Sequence, residues 1–597
     1  MLYGYMGKIL FVDLTTGKMV EEALEEKMCR DFIGGYGIGA HILYDRQKAG
    51  VDPMGSENIL GFITGPLTGT VVPTGARYAV VGKSPLTGGW GDSNSGGYFG
   101  PYLKFAGFDG IFFTGISPRP VYLLIDEGKV ELKDASDIWG KDTYDTEDAL
   151  MSVYGKQSRV ACIGPSGEKL SLIASIMTDH GSAAARSGLG AVMGSKKLKA
   201  IVVRGTREVP VFNNNLAESL RKEQIKVWQV PGPGGMSDID RQRKYGTSFS
   251  TYGSAHSGDS PVKNWGGVGI IDLPDRAGLH HDVFAAKVER GHTCWHCPKI
   301  CKAVLKAGEG LYKYSAGCHR PEYETAAAFG PNCGNSDTDS ISMANDICNR
   351  AGLDTISAGT VISFAMELYE NNILSKDDLG GIDLQWGNHR AMIEMTTKLA
   401  NREGVGDKLA DGVKIAAERI GNGSNKFAIH IGGQELGLHD PKLSRGRMEA
   451  ARYQMDATPG RHTSGFGPMA FHRHFVSIAG LCFQGGYSEN GTLGLFNAIT
   501  GWNYSLDDQL KAGERVTNLR HAFNLREGIN ELKWTVHPRI VGKPPQTAGP
   551  LAGVIADIEA QVIWCLGALD WDRVTTKPSK SKLLSLGLEQ VAKDLWT

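Results

Sequence analysis

Three closely spaced cysteines carry the clearest chemical signal in this chain. In the segment HTCWHCPKIC, Cys294, Cys297 and Cys301 follow the spacing C-x2-C-x3-C. A tight turn brings three thiolates with this spacing to one side of the chain, where they bind a single inorganic cluster. The spacing favours a [4Fe–4S] cluster whose fourth ligand comes from elsewhere in the chain.

Spacing alone leaves alternatives for the fourth ligand and for the metal. We choose Cys482, in AGLCFQGG, and Cys318, Cys333 and Cys348 compete with it. Zinc also binds Cys-x2-Cys, and His296 is near, but a structural zinc site usually adds a second closely spaced pair, and the chain has no other Cys-x2-Cys. Free structural cysteines are the third alternative.

Size and charge narrow the possible functional classes. The chain has 597 residues, too many for one hydrophobic core, so we expect roughly two to four domains. Its 64 basic and 65 acidic side chains lack the excess of positive charge that nucleic-acid binding needs. No segment approaches the roughly 18 apolar residues of a membrane span, and MLYGYMGKILFVDL predicts a strand and not a signal peptide. We expect a cytoplasmic protein without a nucleic-acid or membrane partner.

The elements that must position these cysteines change along the chain. Up to about residue 210, short β-rich segments such as KILFVDL, ARYAVVG and KAIVVRG alternate with glycine and proline. Helical periodicity then dominates, as in TISAGTVISFAMELYENN, and a glycine-bearing loop near 421–425 separates a further helical section. We predict an α+β protein with a β-rich base domain, 1–210, and two mainly helical domains, 211–425 and 426–597.

Glycine is enriched, with 79 residues, many of them in short runs near the N-terminal end. Turns between short strands explain part of this excess, because glycine tolerates backbone angles that other residues avoid. The functional alternative is that backbone N–H groups there approach a large phosphate-bearing ligand.

An ordered set of segments carries a family resemblance. In chain order they are GPLTGTVVPTGARYAVVGKSPLTGGWGDSNSGGYFGPYLKFAGFDGIFFTG, IGPSGEK, AARSGLGAVMGSKKLKAIVVRG, the cysteine triplet, PEYETAAAFGPNCG, NRAGLDTIS, ATPGRHT and AGLC. Together they resemble the tungsten-containing aldehyde:ferredoxin oxidoreductases. In that family a β-rich base holds two pterin cofactors (molybdopterins) whose dithiolene sulfurs bind one tungsten, and two helical domains close over it. The resemblance implies this architecture and a bis-pterin tungsten or molybdenum cofactor.

The resemblance also implies which residues of the first domain hold the pterins. Matched by motif, the residues expected against the pterin and its phosphates are Arg77, Asn94, Gly96, Arg186, Ser187 and Gly188. Guanidinium groups bind phosphate through two hydrogen bonds, and glycine lets backbone N–H groups reach the same oxygens. A Mg²⁺ ion that bridges the pterin phosphates through backbone carbonyls is implied near Asn94 and Ser187. For both arginines the alternative is a surface ion pair.

Two further pterin motifs of the family have the form D-x-x-G-L-[DC]. Here they read NRAGLD, from Asn349 to Asp354, and SIAGLC, from Ser477 to Cys482. Asn349 and Ser477 replace the leading acid, and each still offers a side-chain oxygen to a pterin N–H, without the charge. The resemblance implies pterin contacts from Asn349, Leu353, Asp354, Ser477 and Leu481, with Cys482 as the fourth cluster ligand.

Two side chains occupy positions that resemble the family's catalytic residues, Glu324 in PEYET and His462 in PGRHT. Aldehyde oxidation needs a base that takes a proton from water and a donor that polarises the carbonyl group. We expect Glu324 to be the base, His462 to donate to the carbonyl or to the metal's oxo ligand, and Tyr323 to be a second donor. The alternatives are a solvated glutamate and a structural histidine.

Cys318 gives a second hypothesis, because it lies six residues before Glu324. In the aromatic-ring-reducing branch of the family, the benzoyl-CoA reductase subunits, a cysteine reaches the metal and the glutamate of PEYET is not kept. This chain keeps the glutamate, so we expect Cys318 to be structural.

We therefore predict that the chain oxidises an aldehyde to a carboxylic acid and passes electrons through the cluster to ferredoxin or a small iron–sulfur subunit. A homodimer or a hetero-oligomer is expected from the family. No phosphate-binding glycine loop opens a helix after a strand, so direct nicotinamide binding is not expected. The alternatives are a benzoyl-CoA-reductase-like catalytic subunit and a non-catalytic iron–sulfur electron-transfer subunit.

Overall fold

The computed structural model describes residues 2–443, 449–463 and 465–596. Most of its strands precede residue 205. In chain order the strands are β1 Lys8–Asp13, β2 Met19–Ala23, β3 Leu60–Thr64, β4 Tyr78–Lys83, β5 Trp90–Ser95, β6 Gly110–Thr114, β7 Val121–Asp126, β8 Lys129–Asp134, β9 Arg159–Cys162, β10 Ile176–Thr178, β11 Ser182–Ala184, β12 Leu198–Arg204, β13 Val288–His292 and β14 Lys302–Leu305.

The first sheet has the strand order β2-β1-β6-β3-β4-β5. Strands β1 and β6 are parallel, and the other neighbours are antiparallel. Successive side chains of a strand point to opposite faces. In β1, therefore, Ile9 packs into the core on one face, while Leu10 and Val12 pack into the core on the other.

The second sheet has the order β11-β10-β9-β12-β7-β8, in which only β12 and β7 are parallel neighbours. One hydrophobic core joins the two sheets, because Phe62 and Phe113 from the first share it with Ile201 and Val203 from the second. The two sheets form a base, and β5 at the edge of the first sheet carries Asn94 and ends directly before Gly96.

Helices dominate the rest of the chain. They are α1 Glu26–Phe32, α2 Gly35–Arg46, α3 Phe99–Phe105, α4 Thr143–Tyr154, α5 Pro165–Glu168, α6 Leu189–Ser195, α7 Asn214–Gln229, α8 Asp238–Tyr245, α9 Thr251–Ser257, α10 Gly269–Asp272, α11 His281–Ala286, α12 Tyr323–Phe329, α13 Thr338–Ala351, α14 Thr355–Glu370, α15 His389–Asn401, α16 Val405–Leu409, α17 Val413–Ile420, α18 Glu449–Met455, α19 Phe471–Ile478, α20 Glu489–Thr500, α21 Leu506–Arg526, α22 Pro538–Val541, α23 Ile558–Leu569, α24 Lys580–Ser585 and α25 Glu589–Trp596.

Two helices show why the sequence folds in this way. Helix α14 begins after Asp354, whose side chain accepts from the N–H of Ile356 as an N-cap, and it is buried along most of its length. Helix α21 begins with a capping box of Ser505 and Asp508 and packs against α19 and α2. Residues of α19 and α21 share a core with the outer face of the first sheet, so the last part of the chain lies on the base.

These observations confirm the predicted α+β fold with a β-rich first part and mainly helical parts after it. The hairpin of β13 and β14 interrupts the helical middle part and carries the cysteine triplet in its connection. The domain boundaries at 210 and 425 stay a prediction. Among the described residues, no helix combines the length and the apolar character needed to cross a bilayer.

A buried ion pair between Lys83 at the end of β4 and Glu527 after α21 joins the base to the last part of the chain, with an N–O distance of 2.6 Å. Breaking a buried pair leaves one charge uncompensated. We expect Glu527→Ala to destabilise the unfolding unit that contains it by about 3–5 kcal/mol, measured by denaturant unfolding.

The matched control is Glu26→Ala, because Glu26 pairs with Arg30 on the surface. Exposed pairs contribute about 0–1 kcal/mol, so this variant is expected to unfold close to the wild-type midpoint. Equal shifts for the two variants would contradict the structural role of the buried pair.

Candidate active site

A cavity of about 460 Å³ lies between the base and the helical parts of the chain. Its wall combines β5, the hairpin loop with the cysteine triplet, the first turn of α12 and the segments around 181–186, 461–463 and 482–484. It brings together most of the residues that the sequence singled out, namely Arg77, Asn94, Gly96, Arg186, Cys294, Cys297, Cys301, Tyr323, Glu324, Asn349, Asp354, His462 and Cys482.

A second cavity of about 110 Å³ adjoins the first and shares five lining residues with it, Arg77, Asn94, Arg461, Thr463 and Phe483. Ser477 and Leu481 line this smaller cavity and not the larger one. The first D-x-x-G-L-type motif therefore reaches the larger cavity, whereas the second reaches the smaller one through Ser477 and Leu481 and the larger one through Cys482.

Three predicted pterin contacts, Ser187, Gly188 and Leu353, line neither cavity. Ser187 donates its N–H to Gln434 and its hydroxyl to the carbonyl of Asp92, and its own carbonyl accepts from Ser84. A Cβ atom on Gly188 would lie 2.3 Å from the carbonyl oxygen of Leu172, so packing explains this glycine. Leu353 is buried. These residues hold the backbone behind the cavity wall.

The four predicted cluster ligands line one cavity although Cys482 is distant in sequence. Cys294, Cys297 and Cys301 lie between β13 and β14. The N–H of Cys297 donates to the carbonyl of Cys294, which closes a turn there. The N–H of Cys482 donates to the carbonyl of Thr74, which anchors the turn after α19 to the base. Secondary structure thus brings all four thiols to the same wall.

The cysteines that competed for the fourth position lie elsewhere. Cys318, Cys333 and Cys348 are buried and do not line the cavity. Cys318 packs in an apolar cluster with Tyr312 and Tyr314, and its sulfur lies 3.7 Å from the carbonyl oxygen of Ser342 as a weak donor. The geometry is that of structural thiols.

The spread of the four sulfurs separates zinc from a larger cluster. A tetrahedral zinc ion with Zn–S bonds of about 2.3 Å holds its ligand sulfurs about 3.8 Å apart. No three of these sulfurs lie within 4.8 Å of one another. A four-iron cluster holds its cysteines farther apart, because each sulfur binds a different iron. The arrangement therefore suits an iron–sulfur cluster better than zinc.

Two positively charged side chains, Arg77 and Lys302, lie beside these thiols in the cavity wall. Arg77 donates to the sulfur of Cys482 over 2.9 Å and to the side-chain oxygen of Asn94 over 3.1 Å. The buried amino group of Lys302, next to Cys301, donates to Ser182. Burial and the neighbouring thiols raise the pKa of Cys297 to about 12, so its thiolate form requires nearby positive charge, which a bound metal cluster would supply.

Several buried polar atoms on the wall have no hydrogen-bond partner, and each costs about 1–3 kcal/mol if it stays unpaired. They are Thr74 Oγ1, Ser95 Oγ, Gln242 Oε1, His319 Nε2 and Arg461 Nε. The set contains both donors and acceptors, as a ligand with pterin rings and phosphates requires. An apolar ligand would leave these atoms unpaired, so the wall fits a large polar cofactor. The sequence motifs did not single out Gln242, His319 or Arg461.

Arg186 and Asp354 bind each other. Arg186 donates to a carboxylate oxygen of Asp354 over 2.7 Å, and it also donates to the backbone carbonyl of Glu435. The arginine side chain is 8% exposed, so the pair is buried and is not the surface ion pair considered as the alternative. Each residue positions the other at the cavity wall.

Glu324, in the first turn of α12, has one carboxylate oxygen in a hydrogen bond and one buried oxygen without a hydrogen-bond partner. Its Oε2 accepts from the N–H of Leu438 over 2.8 Å, whereas its Oε1 has no aligned hydrogen bond. The Nδ1 atom of His462 lies 3.2 Å from Oε1, and the Nε2 atom of His439 lies 3.4 Å from it. The side chain of Glu324 is 13% exposed, so it is neither solvated nor on the surface.

The electrostatics of this corner suit proton transfer. Burial raises the pKa of Glu324, which makes it a stronger base than an exposed glutamate. Burial and the charge of His439 hold the pKa of His462 well below its ordinary value, so its imidazole is neutral. Tyr323 donates its hydroxyl to the carbonyl of Leu438 over 2.8 Å. A buried carboxylate and an imidazole whose pKa favours the neutral form therefore lie next to each other on the cavity wall.

Comparisons with known proteins decide the family. The model described as "Aldehyde ferredoxin oxidoreductase, N-terminal domain" matches residues 9–205, and the model of domains 2 and 3 of the same enzyme matches residues 236–588. The chain belongs to the aldehyde ferredoxin oxidoreductase family. This confirms the resemblance found in the sequence and places the chain in a family of oxidoreductase enzymes.

Individual relatives are similar to this chain along almost its whole length. The tungsten-containing aldehyde ferredoxin oxidoreductase of Pyrococcus abyssi is 36% identical over 99% of this chain and 100% of its own length. The WOR-like subunit of the aliphatic sulfonate oxidoreductase of Pyrococcus furiosus is 29% identical over 100% of this chain and 99% of its own length.

A solved structure shares the whole fold. A chain of the active-site complex BamBC of benzoyl coenzyme A reductase, in complex with 1,5-dienoyl-CoA, aligns with a TM-score of 0.84 and 26% identity. The alignment covers 100% of this chain and 99% of that chain.

Gly96 gives a test of the cysteine site. A Cβ atom at Gly96 would lie 3.0 Å from the sulfur of Cys294, so Gly96→Ala must displace that thiol. Changes beside metal ligands lower metal affinity about tenfold or more. We expect the variant to lose iron at a lower chelator concentration than the wild type, measured as iron per chain.

Gly253→Ala is the matched control, because a Cβ atom at this exposed position in α9 meets open space. It is expected to keep the wild-type iron content. Equal iron retention by Gly96→Ala and Gly253→Ala would show that Gly96 does not shape the cysteine site.

Proposed function

We propose that this chain oxidises an aldehyde to a carboxylic acid and passes the electrons through a [4Fe–4S] cluster to ferredoxin. One observation carries the proposal: four thiols and the buried carboxylate of Glu324 line the same polar cavity. The names of the relatives in the genus Pyrococcus support the same reaction.

The cofactor is proposed to be tungsten, or molybdenum, held by two pterins. Arg77 and Asn94 line both cavities, which supports one pterin in each with these side chains between them. Asn349 and Asp354 would contact one pterin, and Ser477 and Leu481 the other. When bound, the metal–pterin group supplies the two-electron chemistry, while the protein orients the substrate and moves protons.

The predicted Mg²⁺ site near Asn94 and Ser187 stays a prediction. The carbonyl of Ser187 already accepts a hydrogen bond from Ser84 and has a second lone pair for a cation. We also retain Ser187, Gly188 and Leu353 as residues that shape the backbone around the cofactor and not as side-chain contacts.

The side chains around Glu324 account for the protons of the reaction. One aldehyde and one water molecule give one carboxylic acid, two protons and two electrons. Glu324 is proposed to take a proton from water through its open Oε1, and neutral His462 to donate an N–H to the aldehyde oxygen. The hydroxyl of Tyr323, predicted as a second donor, is bound to Leu438, so we assign Tyr323 to holding residues 438–439 in place.

The four thiols are proposed to bind the cluster, with Cys482 as the fourth ligand. When bound, such a cluster would supply one-electron transfer, so the proposed partner is a one-electron carrier such as ferredoxin or a small iron–sulfur subunit. All ten cysteines are free, which suits a reducing cytoplasm. A homodimer or hetero-oligomer, and three domains divided near 210 and 425, are retained as predictions.

Ring reduction is the second candidate, because the fold matches the benzoyl coenzyme A reductase complex along its whole length. It would assign a role at the metal to Cys318. That thiol is buried outside the cavity, whereas Glu324 lies on the cavity wall, so the geometry favours aldehyde oxidation.

The proposal is tested by metal analysis and turnover of the purified protein. We expect about one tungsten or molybdenum and roughly four irons per chain, and oxidation of short aliphatic or aromatic aldehydes with a viologen dye as acceptor. Glu324→Gln is expected to keep the metals and to lower kcat about 10²–10⁴-fold, because a general base is lost.

Glu489→Gln, an exposed change in the first turn of α20, is the matched control and is expected to retain wild-type turnover. A fully metallated sample that turns over none of these aldehydes would contradict the proposed reaction. Iron without a heavier metal would favour the electron-transfer alternative.

A further inference from the structure

Glu324 has a second imidazole neighbour that no sequence motif indicates. His439 lies in the segment GLHD, and its Nε2 atom is 3.4 Å from Glu324 Oε1. Its other ring nitrogen, Nδ1, is 3.0 Å from a carboxylate oxygen of Asp259. The ring also stacks on that of Tyr323, with centroids 4.5 Å apart. His439 therefore connects a second carboxylate to the predicted base.

The surrounding contacts fix this line of three side chains. Ser254 donates to the same oxygen of Asp259 that faces His439, over 2.9 Å. The neighbouring backbone of Leu438 is held at both ends, since its N–H donates to Glu324 and its carbonyl accepts from Tyr323. The orientation of His439 is thus set by groups on two other segments of the chain, 254–259 and 323–324.

Gly437 lets the two imidazoles share one carboxylate. A Cβ atom at Gly437 would lie 2.5 Å from Nδ1 of His462, so a larger residue there would push that ring away from Glu324. With glycine, the rings of His439 and His462 lie 5.4 Å apart on either side of Oε1. The backbone is therefore shaped to accommodate both rings.

The pKa values of the two imidazoles are shifted in opposite directions. Burial lowers the pKa of His439, but the hydrogen bond to Asp259 and the charge of Glu324 outweigh it and raise the pKa above its ordinary value. Burial and the charge of His439 lower the pKa of His462. The other charged group facing His439 is Arg452, which opposes its protonation. These opposite shifts favour the cationic form of His439 and the neutral form of His462.

We propose that His439, oriented by Asp259, is a positioning residue that keeps buried Glu324 ionised and so able to accept a proton during aldehyde oxidation. The proposal rests on the proposed function of this site. A carboxylate removed from water protonates unless an opposite charge is close. His439 supplies that charge, and Arg186 adds a weaker contribution of the same sign.

The proposal fixes the sign of the pH dependence. Glu324 loses its charge as the pH falls through its pKa, which sets the acid limb of the pH–rate profile. His439⁺ lowers that pKa, so its removal moves the acid limb to higher pH. Asp259 raises the pKa of His439 and also that of Glu324, so a change at Asp259 has two opposing effects on the charge of Glu324, and the test is made at His439.

We therefore expect His439→Gln to shift the acid limb of kcat/KM upward by about one pH unit, because an opposite charge at this distance lowers a carboxyl pKa by that amount or more. The matched control is His256→Gln, which makes the same histidine-to-glutamine change at an exposed site. It is expected to leave the pH–rate profile unchanged.

Infrared titration gives a readout that does not need turnover. The absorption of a protonated carboxyl group that disappears in Glu324→Gln identifies Glu324, and the pH at which it appears is expected to be higher in His439→Gln than in the wild type. If the wild type turns over no aldehyde while the infrared shift is present, the proposed function fails and the pairing stands. An unchanged infrared titration in folded His439→Gln overturns the proposal.

Discussion

Charges buried around one cavity must be paired, and these pairs join distant parts of the chain. Asp92 on β5 accepts from Arg520 on α21 and from Arg461 in the loop beside the cavity. Although burial opposes it, these two arginines lower the pKa of Asp92 to about 2. The base and the last part of the chain are thus fixed to each other beside the residues that face the cavity.

The same rule governs the rest of the wall. Arg186 is paired with Asp354, and Arg77 is bound to Cys482 and Asn94. Two of these contacts, Arg186 with Asp354 and Arg77 with Cys482, join the base to later parts of the chain. The contact of Arg77 with Asn94 lies within the base. Some unpaired polar atoms, among them Gln242 Oε1 and His319 Nε2, belong to residues that line the cavity, where a polar cofactor would pair them. The wall therefore contains two kinds of polar group. Paired groups stabilise the wall, and unpaired atoms are available to bind a polar ligand.

Local sequence patterns predicted the fold class and three of the cysteines that line the cavity. Alternation in KILFVDL and the helical period of the α14 sequence are properties of single elements, and the C-x2-C-x3-C spacing needs only one hairpin connection. His439 was not predictable in this way, since its partner Asp259 is 180 positions distant. Gly188 was assigned to the cofactor by its motif, whereas contact with the backbone of Leu172 explains it.

The central claim is that a heavy metal and an iron–sulfur cluster share this cavity. Anomalous X-ray diffraction from crystals of the purified protein, recorded at the tungsten and iron absorption edges, tests it most directly. The account predicts iron density enclosed by Cys294, Cys297, Cys301 and Cys482, and a separate tungsten or molybdenum peak beside Glu324. A cavity without a heavy-metal peak in a protein that oxidises aldehydes, or iron bound away from these four sulfurs, would contradict it.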